Sequence, residues 1–105
     1  MDELTVEELK SKIENSEPFT LLDVREPHEY YMSDLDGTTR IPMDELRGRL
    51  KELKKDKEII VMCRSGNRSG IAVKMLLDNG YKKALNLKGG INEWAKKIDT
   101  SLPEY

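Results

Sequence analysis

The sequence predicts an α/β fold with a central, mostly parallel β-sheet flanked by helices on both faces. Short apolar segments at residues 19–24, 59–62 and 84–87 are typical of buried strands. Segments with apolar residues at helical spacing alternate with these strands, which favours parallel pairing through helical crossovers. No internal repeat or change in composition divides the 105 residues, so we expect a single domain over residues 1–105.

The first helix is predicted from a capping box, in which Thr5 is the cap and Glu8 reaches back to it. One apolar stripe follows at helical spacing, formed by Val6, Leu9 and Ile13. After a turn, the apolar segment 19–24 is predicted to be a strand buried on both faces.

The middle of the chain predicts two more helices with a strand between them. Pro27 opens a short second helix, because proline is favoured at the first helical position. Turn residues at 34–37 precede a short strand at 38–41. The next helix has its apolar face at Met43, Leu46, Leu50 and Leu53.

The segment 59–62 is β-branched and uncharged, as expected of a central parallel strand. The helix after it ends at Asn79-Gly80, a common C-terminal signal, and its apolar positions are Ala72, Val73, Leu76 and Leu77. A strand at 84–87 precedes the last helix, which starts at Gly89-Gly90 and has one apolar face of Ile91, Trp94, Ala95 and Ile98.

Composition excludes several classes of function. The 18 basic and 20 acidic residues are interspersed, which argues against a nucleic-acid or membrane-surface binder. One cysteine and one histidine supply neither an internal disulfide nor a zinc site, so no metal is expected. The acidic N-terminus, Met1-Asp2-Glu3-Leu4, lacks a secretory segment, and no apolar run is long enough to span a bilayer. We therefore expect a soluble cytoplasmic protein with a reduced thiol.

The chemistry of the chain is concentrated in the loop that follows the strand at 59–62. In parallel sheets, ligands bind beyond the carboxyl ends of the strands, where loops lead into helices. A helix beginning near Ser69 offers unpaired N–H groups and a partial positive charge to an anion. The same field favours the thiolate of Cys63, which is the nucleophilic form. We expect Cys63 to be catalytic and the anion-binding residues to be Arg64, Ser65, Gly66, Asn67, Arg68 and Ser69.

A lone cysteine after an apolar strand is often only a small buried hydrophobic residue. Such a residue has no need of the glycine, two arginines and two serines that follow Cys63 before the helix. The composition of the loop therefore favours the functional interpretation.

The chain resembles the single-domain rhodaneses from Thr5 to Trp94. Four segments carry the resemblance in order: LLDVREP at 21–27 with EY at 29–30, DG at 36–37 with IP at 41–42, CRSGNRS at 63–69, and GGINEW at 89–94. The resemblance implies a rhodanese-like fold and a thiosulfate sulfurtransferase that needs no cofactor. Cys63 would take sulfur from a small anionic donor as a covalent persulfide and pass it to cyanide, a thiol or a protein acceptor.

Two other features are interpreted through the resemblance. Asp23, Arg25 and Glu26 look like a structural charge cluster at the end of the sheet. Family members often have a GHIPG turn where this chain has SDLDG at 33–37. We expect that difference to alter a turn rather than the chemistry, although two added acids near the site would repel anionic donors.

Two other functions compete with sulfur transfer. Cysteine-dependent phosphatases and arsenate reductases have a similar loop, but theirs holds one residue more than the four between Cys63 and Arg68. The shorter loop favours a persulfide over a tetrahedral phosphate ester. Rhodanese-like domains also serve as regulatory or docking modules without turnover, and those often lack the cysteine that this chain retains.

Overall fold

A computed structural model describes residues 2–105, so Met1 of the acidic N-terminal segment lies outside the described residues. One five-stranded sheet forms the centre of the molecule, and every neighbouring pair of its strands is parallel. Its strands are β1 (Glu3–Leu4), β2 (Thr20–Asp23), β3 (Thr38–Arg40), β4 (Ile59–Met62) and β5 (Ala84–Leu87), in the order β1-β5-β4-β2-β3.

Residues 2–105 also form four α-helices and two short 3₁₀ helices, and all of them except the last α-helix lie between consecutive strands. The α-helices are α1 (Val6–Glu14), α2 (Met43–Arg49), α3 (Asn67–Asp78) and α4 (Gly90–Lys97). The 3₁₀ helices are Pro27–Tyr31 and Leu50–Glu52. Along residues 2–105, no helix combines the length and apolar character that a membrane crossing requires.

Apolar side chains fill both faces of the sheet, which confirms the predicted α/β architecture. One face packs against α2 and α3, where Leu46, Val73 and Leu76 are fully buried. The other face packs against α1 and α4, where Leu9 and Ile91 are fully buried. Strand β4 lies at the middle of the sheet, and all four of its residues are buried. The loop that follows β4 is therefore attached to the one strand within residues 2–105 whose residues are all buried.

The predicted boundaries differ from the observed ones at several places. Strand β1 was not predicted, because a two-residue edge strand has no recognisable alternation. Helix α3 begins at Asn67 rather than near Ser69, since Gly66 already makes the turn that precedes the helix. Two residues of the predicted apolar stripes, Ile13 and Leu77, are 46% and 40% exposed.

The second predicted helix forms, but as the 3₁₀ helix Pro27–Tyr31. Its capping box pairs Glu26 with Glu29. The segment stays short because the carbonyls of Glu29 and Ser33 accept hydrogen bonds from the guanidinium of Arg25, at 3.3 and 2.8 Å. The capping box predicted at Thr5 and Glu8 is confirmed.

The parallel sheet places the carboxyl ends of its central strands side by side. Strand β4 ends at Met62, directly before Cys63, and its neighbour β2 ends at Asp23 in register with Met62. On the other side of β4, Val61 is in register with Asn86 of β5. Residues from three strands therefore meet at the edge of the sheet where the loop begins.

Candidate active site

The loop between β4 and α3 wraps around the N-terminal end of α3. Gly66 caps that helix with φ +103°, a left-handed conformation that glycine adopts without steric cost. This turn directs the backbone back toward Cys63, so that successive N–H groups converge on one point, as in an anion-binding nest. The loop from Arg64 to Ser69 thus forms a cradle around the Cys63 thiol, with the N–H groups of Ser65, Gly66 and Ser69 directed at the sulfur.

The sulfur of Cys63 lies at the centre of the cradle and the residue is only 1% exposed. The backbone N–H groups of Gly66 and Ser69 donate to Sγ at 3.1 and 3.4 Å. The hydroxyl oxygen of Ser69 lies 3.3 Å from Sγ. A buried sulfur surrounded by donors is a site for a negative charge rather than a packing position.

These contacts lower the pKa of the Cys63 thiol below its ordinary value. Burial of the sulfur is the largest single influence and opposes ionisation. It is outweighed by the hydrogen bond to the Ser69 hydroxyl together with those from the N–H groups of Ser69, Gly66 and Ser65. The loop therefore favours the nucleophilic thiolate without a histidine, and His28 is exposed on its short helix.

Helix α4 supports the cradle from outside. The N–H groups of Ile91 and Asn92 donate to the carbonyls of Cys63 and Arg64, at 2.9 and 3.1 Å. Gly90 makes this contact possible, because a Cβ atom there would lie 2.5 Å from both carbonyl oxygens. The Gly89-Gly90 pair thus brings the N-terminus of α4 against the start of the reactive loop.

Asn86 of β5 links Ser69 to the far side of the loop. Its Oδ1 accepts a hydrogen bond from the Ser69 hydroxyl at 2.5 Å, and its Nδ2 donates to the Gly66 carbonyl at 3.0 Å. Asn86 and Ser69 are 3% and 0% exposed. Asn86 was not predicted, because it lies 17 residues beyond Ser69, in a strand otherwise identified by its apolar residues.

The two arginines of the loop have different surroundings. Arg68 donates two hydrogen bonds to the carboxylate of Glu29, at 2.6 and 2.7 Å, and these raise the pKa of Arg68 further. Arg64 is exposed and stacks on the ring of Tyr105, 5.0 Å from its centroid. No ion pair within residues 2–105 involves Arg64, so its charge is the one left without a carboxylate partner.

A buried pair at the end of β2 stabilises the neighbouring chain segments. Arg25 is fully buried and donates to both carboxylate oxygens of Asp23, at 2.8 to 3.1 Å. The Tyr105 hydroxyl lies 2.9 Å from Nη1 of Arg25 and donates to Glu29 at 3.0 Å. Asp23 and Arg25 therefore act structurally in this arrangement, and Tyr105 connects them to Glu29.

The acidic turn at residues 33–37 is also tied into arginine contacts. Asp34 forms an ion pair with Arg40 and lies 3.6 Å from Nη2 of Arg25. Asp36 is exposed on the surface. The loop residues Ser65 and Asn67 are likewise exposed, so their side chains face outward from the cradle.

Glu29 gives the loop a measurable dependence on acid. Hydrogen bonds from Arg68 lower the pKa of Glu29 to about 2, and they outweigh the opposing effect of burial. A lowered carboxyl pKa contributes stability above the unfolded value near 4.5 and loses it as pH falls toward 2. We predict that Glu29→Gln lowers the free energy of unfolding at pH 7 by about 2 kcal/mol, the scale of a charged hydrogen bond. Urea titrations should show this difference shrinking between pH 4.5 and 2.

The control for this prediction is Glu52→Gln, which removes a carboxylate paired with Arg49 on the surface. Exposed pairs contribute little to stability, so this variant should differ far less from the parent. If the free energies of unfolding of Glu29→Gln and the parent differ by a constant amount across the whole acid range, the pKa of Glu29 is not lowered by Arg68.

Comparisons with known proteins agree with this geometry. The family model described as "Rhodanese-like domain" matches residues 5–97. A sulfurtransferase from Allochromatium vinosum is 34% identical over 91% of this chain and 90% of its own length. The crystal structure of SSP1007 from Staphylococcus saprophyticus superposes with a TM-score of 0.85 at 33% identity, covering 93% of this chain and 97% of that one.

A longer relative shows that the same unit also occurs within larger proteins. YrkF from Bacillus subtilis is 35% identical over 92% of this chain, and the chain spans 52% of its length. The family match covers strands β2 to β5 and the β4–α3 loop. The chain belongs to the rhodanese-like sulfurtransferase family.

Proposed function

We propose that this protein carries sulfane sulfur as a persulfide on Cys63, taking it from thiosulfate or another persulfide donor. The observation that carries the proposal is the group of contacts around Sγ: the N–H groups of Gly66 and Ser69 donate to it, and the Ser69 hydroxyl oxygen lies 3.3 Å away. Such a set stabilises a thiolate before the reaction and the anionic outer sulfur of a persulfide after it.

The proposed reaction has two displacement steps. The Cys63 thiolate attacks the outer sulfur of thiosulfate, and the bond between the two donor sulfurs breaks. Sulfite leaves with that electron pair, and the enzyme holds the persulfide. Cyanide or a thiolate then attacks the outer persulfide sulfur, which regenerates the Cys63 thiolate. Both steps use the cysteine alone, so the proposal includes no cofactor.

The loop residues divide this task between them. Gly66 and Ser69 stabilise charge on sulfur, as does the N–H group of Ser65. Arg64 attracts the anionic donor, since its charge has no carboxylate partner among residues 2–105. Arg68 is held by Glu29 and acts mainly by fixing the loop beside the thiol. Asn67 begins α3 and places its N-terminus.

The rival functions are less well supported. The loop between Cys63 and Arg68 is one residue shorter than in phosphatases, and the guanidinium of Arg68 is engaged by Glu29 instead of being presented to a phosphate. A docking module without turnover has no use for a thiol whose pKa is lowered by hydrogen-bond donors around it. The acceptor in this proposal is cyanide or a thiol, the thiol being on a small molecule or on a protein. We expect the protein to be located in the cytoplasm.

Intact-mass measurement after incubation with thiosulfate tests the proposal. We predict that the purified protein gains one sulfur atom and loses it again when cyanide is added. Aryl phosphate is offered in a parallel reaction as the substrate of the rival enzyme class. No gain from thiosulfate or from glutathione persulfide would refute sulfur carriage, and release of phosphate from the aryl ester would support the phosphatase instead.

A further inference from the structure

The Ser69 hydroxyl has one proton and two close neighbours that bear on the reaction. Its oxygen lies 2.5 Å from Oδ1 of Asn86 and 3.3 Å from Sγ of Cys63. An amide oxygen only accepts, so the short contact requires Ser69 to donate to Asn86. The proton is then directed away from the sulfur.

The orientation of the Asn86 amide is settled by its second contact. Nδ2 donates to the Gly66 carbonyl at 3.0 Å. Exchanging the amide nitrogen and oxygen would set Oδ1 against that carbonyl oxygen, an arrangement of two acceptors without a proton between them. The loop itself therefore keeps Oδ1 facing Ser69.

Because the Ser69 hydroxyl donates its proton to Asn86, the protonated Cys63 thiol acts as the donor in its own contact with the Ser69 oxygen. Loss of the thiol proton to solvent leaves a thiolate facing a lone pair at 3.3 Å. The thiolate gains this third donor only when the Ser69 hydroxyl rotates from Asn86 to Sγ. All three residues are at least 97% buried, so water does not readily substitute for either partner.

We propose that Asn86 is a positioning residue that competes with the Cys63 sulfur for the Ser69 proton and thereby limits how readily the thiolate forms. The inference deepens the proposed function, because the same competition acts on the anionic outer sulfur of the persulfide. Asn86 does not touch the reacting sulfur, and its effect on the shared proton is exerted through Ser69, while its contact with the Gly66 carbonyl holds the amide in place. The free energy lost when Ser69 gives up its hydrogen bond to Asn86 offsets part of the stabilisation that the hydroxyl gives to the charged sulfur.

Other charged and titratable groups lie on the loop and on the elements around it, and among them the charge of Arg68 interacts with that of Cys63. They are Arg64, Arg68, Glu29, Tyr105, the Asp23–Arg25 pair, Glu3 of β1 and Glu93 in the first turn of α4. None of them is altered in the variants below. A difference between variants therefore reports the network of Asn86 and Ser69.

The test is the pH dependence of iodoacetamide alkylation, which measures the thiolate without any sulfur donor. Asn86→Leu removes the acceptor, so the freed Ser69 hydroxyl donates to the thiolate and the alkylation midpoint falls by about 0.5–1 pH unit, the scale of one hydrogen bond. Asn86→Asp holds the proton more tightly and adds charge, so the midpoint rises. Thermal unfolding of each variant checks that the fold is retained.

The decisive comparison repeats Asn86→Leu in a Ser69→Ala background. If Asn86 acts through the shared proton, the downward shift disappears once Ser69 has no hydroxyl. Three results would overturn the inference. They are an equal shift of the alkylation midpoint with and without the Ser69 hydroxyl, an upward shift when Ser69 is present, and no shift in either background. Since alkylation needs no donor, this result stands apart from the sulfur-loading measurement, and either proposal can fail alone.

Discussion

Cys63→Ser is expected to abolish sulfur loading completely, leaving the mass unchanged after incubation with thiosulfate. The substitution replaces one atom in a site where Sγ receives hydrogen bonds from Gly66 and Ser69. A serine hydroxyl ionises far less readily than a thiol and forms no persulfide. Because Cys63 is the only cysteine in the chain, no second thiol can take over. Intact-mass spectrometry gives the loaded fraction, and sulfite release gives the rate.

The control for this prediction is the parent protein alkylated on Cys63 before thiosulfate is added. It keeps the cysteine backbone and the loop sequence but has a blocked sulfur, so it should also fail to load. Retention of the parent's unfolding midpoint by Cys63→Ser shows that the loss is chemical. A sulfur adduct on the serine variant would mean that another group carries the sulfur, and the assignment of Cys63 would then be wrong.

Gly90→Ala is expected to cause the largest loss of stability among single methyl additions to this chain. Gly90 has φ +64°, and an added Cβ would lie 2.5 Å from the carbonyl oxygens of Cys63 and Arg64. Left-handed backbone and forced repacking together cost about 2–5 kcal/mol. That is a large fraction of the roughly 5–15 kcal/mol that stabilises a typical domain. Urea denaturation monitored through Trp94 measures the change.

The matched control adds the same methyl group where nothing opposes it. Gly48 lies in α2 with open space around its Cβ direction, so Gly48→Ala should stabilise the protein by about 0.5–1 kcal/mol. Relief of the clash in Gly90→Ala must move the reactive loop away from α4, and we also expect slower sulfur loading in molecules that remain folded. Equal stability of the two alanine variants would show that the contact between α4 and the loop tolerates displacement.

Local patterns sufficed to predict much of this fold. The capping box at Thr5 and the apolar segment of β4 each depend on neighbouring residues only, and both are found in the structure. The short strand β1 escaped prediction because Glu3 and Leu4 become a strand only through pairing with β5. Proline and acidic residues near 27 indicated a helix, but the contacts from Arg25 that keep it a 3₁₀ turn come from the folded arrangement.

In the candidate site, too, residues that are neighbours in the sequence were predicted, and residues brought in by tertiary structure were not. Its loop residues are contiguous, so their composition alone indicated a cradle around Cys63, and the chemical roles given to them remain predictions. Three partners were missed because tertiary structure brings them in: Asn86 on Ser69, Glu29 on Arg68, and Tyr105 beneath Arg64. Glu29 lies 39 residues before Arg68, and no local pattern links the two. Its pairing changes the role proposed for Arg68 from donor attraction to fixing the loop.

The outward-facing carbonyls of the loop have a consequence for the energetics of reaction. The carbonyls of Cys63 and Arg64 are occupied by α4, and the Gly66 carbonyl accepts from Asn86 and from the N–H of Gly70 at 3.2 Å. On the inner side of the loop, the N–H groups of Ser65, Gly66 and Ser69 already point their positive ends at the sulfur. Negative charge that develops there meets an oriented environment, so little reorganisation energy is spent during the transfer. The dipoles around the sulfur are thus oriented when the protein folds, whereas water molecules in bulk solution reorient only after a charge has formed.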